Sequence, residues 1–191
     1  RGLAHYTHVN NVAMQSGLEL TRFLANCQLQ YGISQDQLII INGVNLTQAI
    51  REHHVSKLAS IISQLPEVRD FLLKFQRDLV LETCCVMEGR DIGTVVFPDS
   101  FCKVFITASV DVRANRRLNQ LRGLGNDEVS LEQVIEDVKK RDASDINREV
   151  APLKQADDAY FMDTTNLNLD EIIDQLKIII NKKADLCDII L

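Results

Sequence analysis

The stretch Glu88-Gly89-Arg90-Asp91-Ile92-Gly93-Thr94-Val95-Val96-Phe97-Pro98-Asp99 follows an apolar run at residues 84–87. The apolar run predicts a short buried strand, and Gly89 lets the backbone bend sharply at its end. Arg90 and Asp91 are therefore expected side by side just past the strand. Ligands bind outside the carboxyl ends of strands in open α/β sheets, so both charges are well placed for a ligand. Taken alone, the stretch fits a turn with a solvated ion pair equally well.

A second charged motif, RDASDINR at residues 141–148, closes a helical run. Arg141, Asp145 and Arg148 fall at positions i, i+4 and i+7, which lie on one face of an α-helix. By itself this motif also fits an exposed helix with salt bridges. Ser130 and Gln133 at the start of the run predict a capping box.

Apolar runs near residues 84, 103 and 160 alternate with helical patterns. This alternation predicts an α/β fold, with a parallel sheet and helices on both faces. Earlier in the chain, β-type runs at 31–33 and 38–41 precede the turn signal Asn42-Gly43. That pattern predicts a small antiparallel insert.

The composition of the 191 residues, 46% hydrophobic and 25% charged, fits one globular domain with a substantial core. The net charge of −6 argues against general affinity for nucleic acid. Of the 21 basic residues, 12 are arginines, and no arginine lies beyond Arg148. Because arginine suits two-point contacts with phosphate, this distribution favours a small anionic ligand.

No window of eighteen apolar residues indicates a membrane helix. The five cysteines lack CxxC spacing, and neither they nor the histidines form a metal-ligand pattern, so no metal site is predicted. Free thiols of this kind are typical of the reducing cytoplasm. A cytoplasmic protein without membrane or nucleic-acid partners is expected.

EGRDIGTVVFPD at 88–99 and RDASDINREVAPLKQADDAYFMDTTNL at 141–167 together closely resemble the bacterial cytidylate (CMP) kinases, in the nucleoside-monophosphate kinase class. The resemblance covers nearly the whole chain. It implies one P-loop-type domain over 1–191 with five sheet strands, an antiparallel nucleotide-binding insert at 27–62 and a helical lid at 111–148.

The implied reaction moves the γ-phosphoryl group of ATP to CMP or dCMP, giving CDP or dCDP (EC 2.7.4.25). ATP and Mg²⁺ are the expected co-substrate and ion, and a monomer is expected. The acceptor phosphate is already ionised, so catalysis needs positioning and charge stabilisation rather than a general base.

The resemblance also assigns roles to residues by position. Arg1 and Arg90 match arginines that hold the acceptor phosphate. Arg141 and Asp145 match positions at the sugar, and Arg148 matches an arginine at the phosphates. Arg90, Arg141 and Arg148 are the expected catalytic residues.

Base recognition falls to Ser60, Arg69 and Asp91 by the same resemblance. The Asp91 carboxylate can accept from the cytosine amine, while Arg69 can donate to the ring acceptors. Uracil would place a carbonyl oxygen against Asp91, which is repulsive. The lid over the ATP phosphates is expected to contain Arg113, Arg116 and Arg117, although some of these equally fit ordinary surface charge.

One departure concerns the phosphate-binding loop. No Gly-x-x-x-x-Gly-Lys-Ser/Thr motif occurs in the sequence. The family places that loop before the position of Arg1, so a longer native polypeptide, with about 30–40 more residues that include it, is expected. The alternatives are a non-catalytic nucleotide-binding relic and a kinase for a different pyrimidine acceptor.

Overall fold

The structure is a computed structural model that describes residues 1–81, 84–123, 125–126 and 128–186, with only the backbone of His53. The chain divides into two compact units, Arg1–Cys84 and Cys85–Leu191. Each unit combines helices and strands. Cys187, one of the five predicted thiols, falls outside the described residues.

The first unit builds a three-stranded antiparallel sheet against helices. Its elements are α1 (Gly2–Val9), α2 (Leu18–Ala25), β1 (Leu29–Ser34), β2 (Gln37–Ile41), β3 (Val44–Asn45), a 3₁₀ turn (Ala49–Arg51), α3 (His53–Ile62) and α4 (Pro66–Asp78). Asn42 and Gly43 adopt φ values of 48° and 79°, the left-handed conformations that an Asn-Gly hairpin turn requires. The predicted antiparallel strands are therefore confirmed.

The core of the first unit lies between its helices and β2. Leu3 of α1, Leu20 of α2, Ile41 of β2 and Val68 of α4 are almost fully buried. This apolar burial supplies most of the stabilisation of the unit and fixes α3 and α4, which carry Ser60 and Arg69.

The second unit contains a parallel strand pair. Its elements are a π-helix (Ile92–Val96), β4 (Val104–Thr107), α5 (Val110–Gly123), α6 (Leu131–Asn147), β5 (Tyr160–Asp163) and α7 (Leu169–Leu186). Val104 pairs with Tyr160 and Thr107 with Asp163. A parallel sheet within a mixed helix-and-strand fold confirms the α/β prediction at this level.

Helices α5 and α6 pack through a small apolar cluster of Ala114, Leu118, Leu121 and Val134. The start of α6 carries the predicted capping box. The Ser130 hydroxyl accepts from the Gln133 N–H at 3.2 Å, and the Gln133 side chain accepts from the Ser130 N–H at 3.1 Å. Two N-terminal amide groups are thereby satisfied.

The prediction of a buried strand at 84–87 is wrong for this structure. The segment forms no strand, Cys84 and Cys85 are exposed, and Val86 is 99% exposed. An apolar run becomes a strand only when a neighbour accepts its backbone hydrogen bonds. Within the described part of this unit, β4 and β5 pair only with each other.

Candidate active site

A cluster of ion pairs in the second unit surrounds Asp145, near the end of α6. The Asp145 side chain is only 8% exposed, and its Oδ2 lies 3.2 Å from Arg90 Nε and 3.8 Å from Arg141 Nε. Its Oδ1 lies 3.8 Å from Nη1 of Arg148. One carboxylate thus holds three guanidinium groups together.

Arg148 also pairs with a second carboxylate. Its Nη2 lies 3.6 Å from Asp91 Oδ1, with side-chain exposures of 6% and 12%. Its Nε donates to the carbonyl oxygen of Ala151 at 2.6 Å, which fixes the plane of the guanidinium group. The cluster, defined as Arg90, Asp91, Arg141, Asp145 and Arg148, contains three positive and two negative charges, so an anion is the ligand that it favours.

The prediction of a single helical face for Arg141, Asp145 and Arg148 needs a correction. Helix α6 ends at Asn147, and Arg148 is the capping residue after it, with an extended backbone at φ −66° and ψ 142°. The Asp145 carbonyl accepts from the N–H of Leu153 at 2.7 Å, so the chain turns back across the helix end. Arg148 therefore reaches the cluster from the turn and not from the helix.

Asp145 has one carboxylate oxygen that is held by charge and not by a hydrogen bond. Its buried Oδ2 accepts no hydrogen bond from the part of the chain that the structure describes, so its contact with Arg90 is an ion pair without hydrogen-bond geometry. A buried carboxylate oxygen in this state is a ready acceptor for a ligand hydroxyl group.

The turn that carries Arg90 and Asp91 runs directly into the π-helix. The Asp91 carbonyl accepts from the N–H groups of Val95 at 2.9 Å and Val96 at 3.2 Å. An added Cβ at Gly89 would lie 2.7 Å from Ile92 Cγ1, so any larger residue there would force the Ile92 side chain or the turn to shift. The tight turn and the π-helix that follows it thus hold the backbone that carries Arg90 and Asp91.

Three residues predicted for the substrate lie in the first unit. Arg1 donates to the Ile50 carbonyl at 3.1 Å and to Ser56 Oγ at 3.0 Å. Ser63 links the other two: its hydroxyl donates to the Ser60 carbonyl at 3.1 Å, and its own carbonyl accepts from Arg69 Nη1 at 3.3 Å. Arg69 and Ser60 are accordingly fixed at the junction of α3 and α4.

The three arginines predicted for the lid all lie on α5 but differ in their contacts. Arg113 donates to the Ala108 carbonyl at 2.8 Å and pairs with Asp142 at 2.7 Å. Arg116 donates to Thr164 Oγ1 and to the carbonyls of Thr164 and Leu167. Protein groups thus engage both guanidinium groups.

Arg117 is different, since its one hydrogen bond in the described chain is a long contact of 3.4 Å to Gln120. Burial, together with the nearby charge of Arg141, lowers the pKa of the Arg117 guanidinium group from its usual value. Arg117 of α5 and Arg141 of α6 are thus near enough for their charges to interact.

Two polar pairs could not be predicted from the sequence. Asp142, the partner of Arg113, lies within the RDASDINR motif, but no sequence pattern links it to an arginine of α5. Lys103 and Asp158 form a close pair with Nζ–O distances of 2.7 Å. The only sequence signal for that pair was a lysine between Cys102 and Val104, in an otherwise apolar run.

The described residues contain no group of three histidine, cysteine or acidic side chains arranged to hold a metal ion. Nor does any described helix combine the length and the apolar character needed to cross a bilayer.

Arginines that converge with carboxylates in an α/β chain are typical of phosphotransferases, which act by positioning and by charge stabilisation. A family model described as cytidylate kinase matches residues 1–182 of the sequence. The chain belongs to the cytidylate kinase family, whose reaction is the ATP-dependent phosphorylation of CMP to CDP. The family prediction from the two sequence motifs is confirmed.

Relatives named cytidylate kinase align with most of the chain. The protein from Carboxydothermus hydrogenoformans is 40% identical over 177 residues, which cover 92% of this chain and 79% of the relative. The protein from Caldicellulosiruptor saccharolyticus is 38% identical, with coverage of 87% and 74%. A protein from Streptococcus pneumoniae (strain Hungary19A-6) is 39% identical, with coverage of 88% and 76%.

Proposed function

We propose that this chain supplies the acceptor side of the CMP kinase reaction, and that the ion cluster binds the sugar and the phosphate of CMP or dCMP. The observation that carries the proposal is Asp145, a buried carboxylate with three arginines within 3.8 Å. A nucleoside monophosphate offers the two groups that such a cluster binds: a doubly charged phosphate and ribose hydroxyls.

The roles divide by charge and exposure. Arg90 is 39% exposed and Arg141 is 44% exposed, so both guanidinium groups can reach a bound ligand. Arg90, with Arg1, binds the acceptor phosphate, and Arg141 and Asp145 bind the sugar. Arg148 stabilises charge on the transferring phosphoryl group.

Base recognition falls to Ser60, Arg69 and Asp91. A carboxylate such as Asp91 only accepts hydrogen bonds, so it matches the exocyclic amine of cytosine and opposes the carbonyl that uracil has at that position. Arg69, half-buried and oriented by Ser63, donates to the ring acceptors.

On the donor side, Arg117 is the lid arginine that suits the phosphates of ATP, since its one hydrogen bond in the described chain is the long contact to Gln120. Arg113 and Arg116 support the lid helix through protein contacts. Mg²⁺ enters as the ion bound to ATP and belongs to the co-substrate, since the described residues offer no carboxylate cluster for it. The ion supplies charge stabilisation on the phosphates.

We further propose the finer family architecture: a five-stranded P-loop-type sheet with helices on both faces, an insert at 27–62 and a lid at 111–148. The antiparallel strands β1–β3 and the helix pair α5–α6 support the two subregions. We also propose a monomer in the cytoplasm; the free thiols Cys27, Cys84, Cys85 and Cys102 fit the reducing conditions there.

The test compares CMP with UMP. Isothermal titration on the wild type and on Asp91→Ala should show a preference for CMP that falls by about 1–3 kcal/mol in the variant. An unchanged ratio of CMP to UMP affinity in the folded variant would contradict the assignment of Asp91. A wild type that prefers UMP would favour the alternative of a different pyrimidine acceptor. A full-length protein with the expected phosphate-binding loop that binds CMP but does not turn over ATP and CMP would favour the non-catalytic alternative.

A further inference from the structure

Lys103 is a buried charge outside the ion cluster. Its side chain is 7% exposed, and its Nζ donates to both carboxylate oxygens of Asp158 at 2.7 Å and to the carbonyl of Pro98. Burial of an ammonium group is unfavourable unless the group is paired and hydrogen-bonded. Three acceptor atoms match its three N–H donors, so the head group is held in one position.

The aliphatic part of Lys103 packs against the π-helix at Gly93. A Cβ added to Gly93 would lie 3.2 Å from Lys103 Cδ and 3.4 Å from Cγ, which is tighter than ordinary van der Waals contact. One side chain therefore contacts two points of the segment 93–98: its stem touches Gly93, and its ammonium group binds the Pro98 carbonyl.

That segment continues the turn that carries the site residues. The π-helix (Ile92–Val96) begins at Asp91, whose carbonyl accepts from the N–H groups of Val95 and Val96. Arg90 precedes Asp91 in the same turn. The position of the π-helix thus determines where the backbone presents these two side chains.

We propose that Lys103, anchored by Asp158, is a positioning residue for the acceptor nucleotide. It holds the π-helix in place and, through it, the turn with Arg90 and Asp91. This inference rests on the proposed function, in which that turn binds CMP. If Lys103 only stabilised the fold, its replacement would lower the free energy of unfolding without changing how Arg90 contributes to CMP binding.

The experiment measures the Kd for CMP by isothermal titration at a temperature where every variant is folded, as checked by its melting curve. Lys103→Met keeps the stem but removes the charge, and should weaken CMP binding by about tenfold. Asp158→Asn should weaken it by about threefold, and Asp158→Glu, which restores the carboxylate on a side chain with room to move, should recover most of that loss. Lys177→Met is the matched control: Lys177 is 68% exposed and pairs with Asp174 at 3.3 Å, so its removal should leave the Kd unchanged.

A double-mutant cycle separates positioning from general stability. If Lys103 acts through the turn, Lys103→Met should weaken CMP binding less in an Arg90→Ala background than in the wild type. Fully additive losses, or a folded Lys103→Met with wild-type affinity, would overturn the inference. If Lys103→Met fails to fold, equal affinities of Asp158→Asn, Asp158→Glu and the wild type would also overturn it.

The same titrations separate this inference from the proposed function. A wild type that fails to bind CMP overturns both. A wild type that binds CMP, with Arg90→Ala weakened and every Lys103 and Asp158 variant unchanged, overturns the positioning role alone.

Discussion

The Nη2 atom of Arg148 lies 3.6 Å from Oδ1 of Asp91, and this pair joins the two sequence motifs that carry the family resemblance. The two side chains are only 6% and 12% exposed, so solvent screens the attraction between their charges only weakly. Asp145 shares the same arginine at 3.8 Å. Substitutions in this cluster should therefore be non-additive, because each one changes the surroundings of the others.

Replacement of Asp145 by Asn should destabilise the fold. The loss should be about 1–3 kcal/mol, below the scale of about 3–5 kcal/mol for a fully orphaned buried charge, because Arg148 keeps Asp91. Urea denaturation measures the difference. Asp174→Asn, at a side chain 72% exposed, is the control and should cost under about 1 kcal/mol. Equal stabilities of the two variants would contradict this prediction.

Replacement of Arg90 by Ala should affect the nucleotide more than the nucleoside. Because Arg90 is proposed to bind the phosphate, the affinity for CMP should fall by about tenfold or more, while that for cytidine should change by less than about threefold. Titration with both ligands checks the expectation. Arg22→Ala, at an exposed position on α2, serves as the control. A parallel loss for CMP and cytidine would argue against a phosphate contact.

Replacement of Ser130 by Ala removes half of the capping box on α6. The expected cost is about 1 kcal/mol, within the usual range of about 0.5–2 kcal/mol for a lost N-cap. Ser130→Thr keeps the hydroxyl group and should retain most of the stability. Thermal or urea unfolding measures the stability of both variants. Equal stabilities of Ser130→Ala and Ser130→Thr would refute the prediction.

The pair of Lys103 and Asp158 makes stability depend on acid pH. The hydrogen bonds from Lys103 lower the pKa of Asp158 below its ordinary value of 3.8. A lowered folded-state pKa means that the contribution of the pair is complete above about pH 4 and is lost as the pH falls through the lower folded value. Unfolding free energies measured between about pH 2 and 6 should fall less steeply for Asp158→Asn than for the wild type. Identical slopes would count against the pair.

Features set by neighbouring residues were predictable from the sequence. Asn42-Gly43 determined a hairpin turn, and Ser130 with Gln133 determined a helix start, because each depends on contacts within a few residues. The apolar run at 84–87 gave a wrong strand because pairing depends on a partner far away in the chain.

The site shows the same division. Residue types and family resemblance placed Arg90, Asp91 and Asp145 among the substrate residues, and the structure brings these three together with Arg148. The sequence did not predict that Arg148 lies beyond the end of the helix. That helix end depends on the hydrogen bond from the Leu153 N–H to the Asp145 carbonyl, which forms only after the chain has turned back. Lys103 stands out within an apolar run, but no nearby residue in the sequence indicates that Asp158 is its partner.

The π-helix also constrains the length of this segment. A π-helix has a wider turn than an α-helix, and here it accommodates five residues between Asp91 and Phe97. Gly93, which lies against Lys103, is one of the five. Deletion of one residue would convert the wide turn to an ordinary α-helical one and rotate everything beyond it by about 100° with a shift of about 1.5 Å. A change of side chain at Thr94 or Val95 leaves that spacing intact. Substitutions at Thr94 or Val95 should therefore be tolerated far better than a deletion in the same segment.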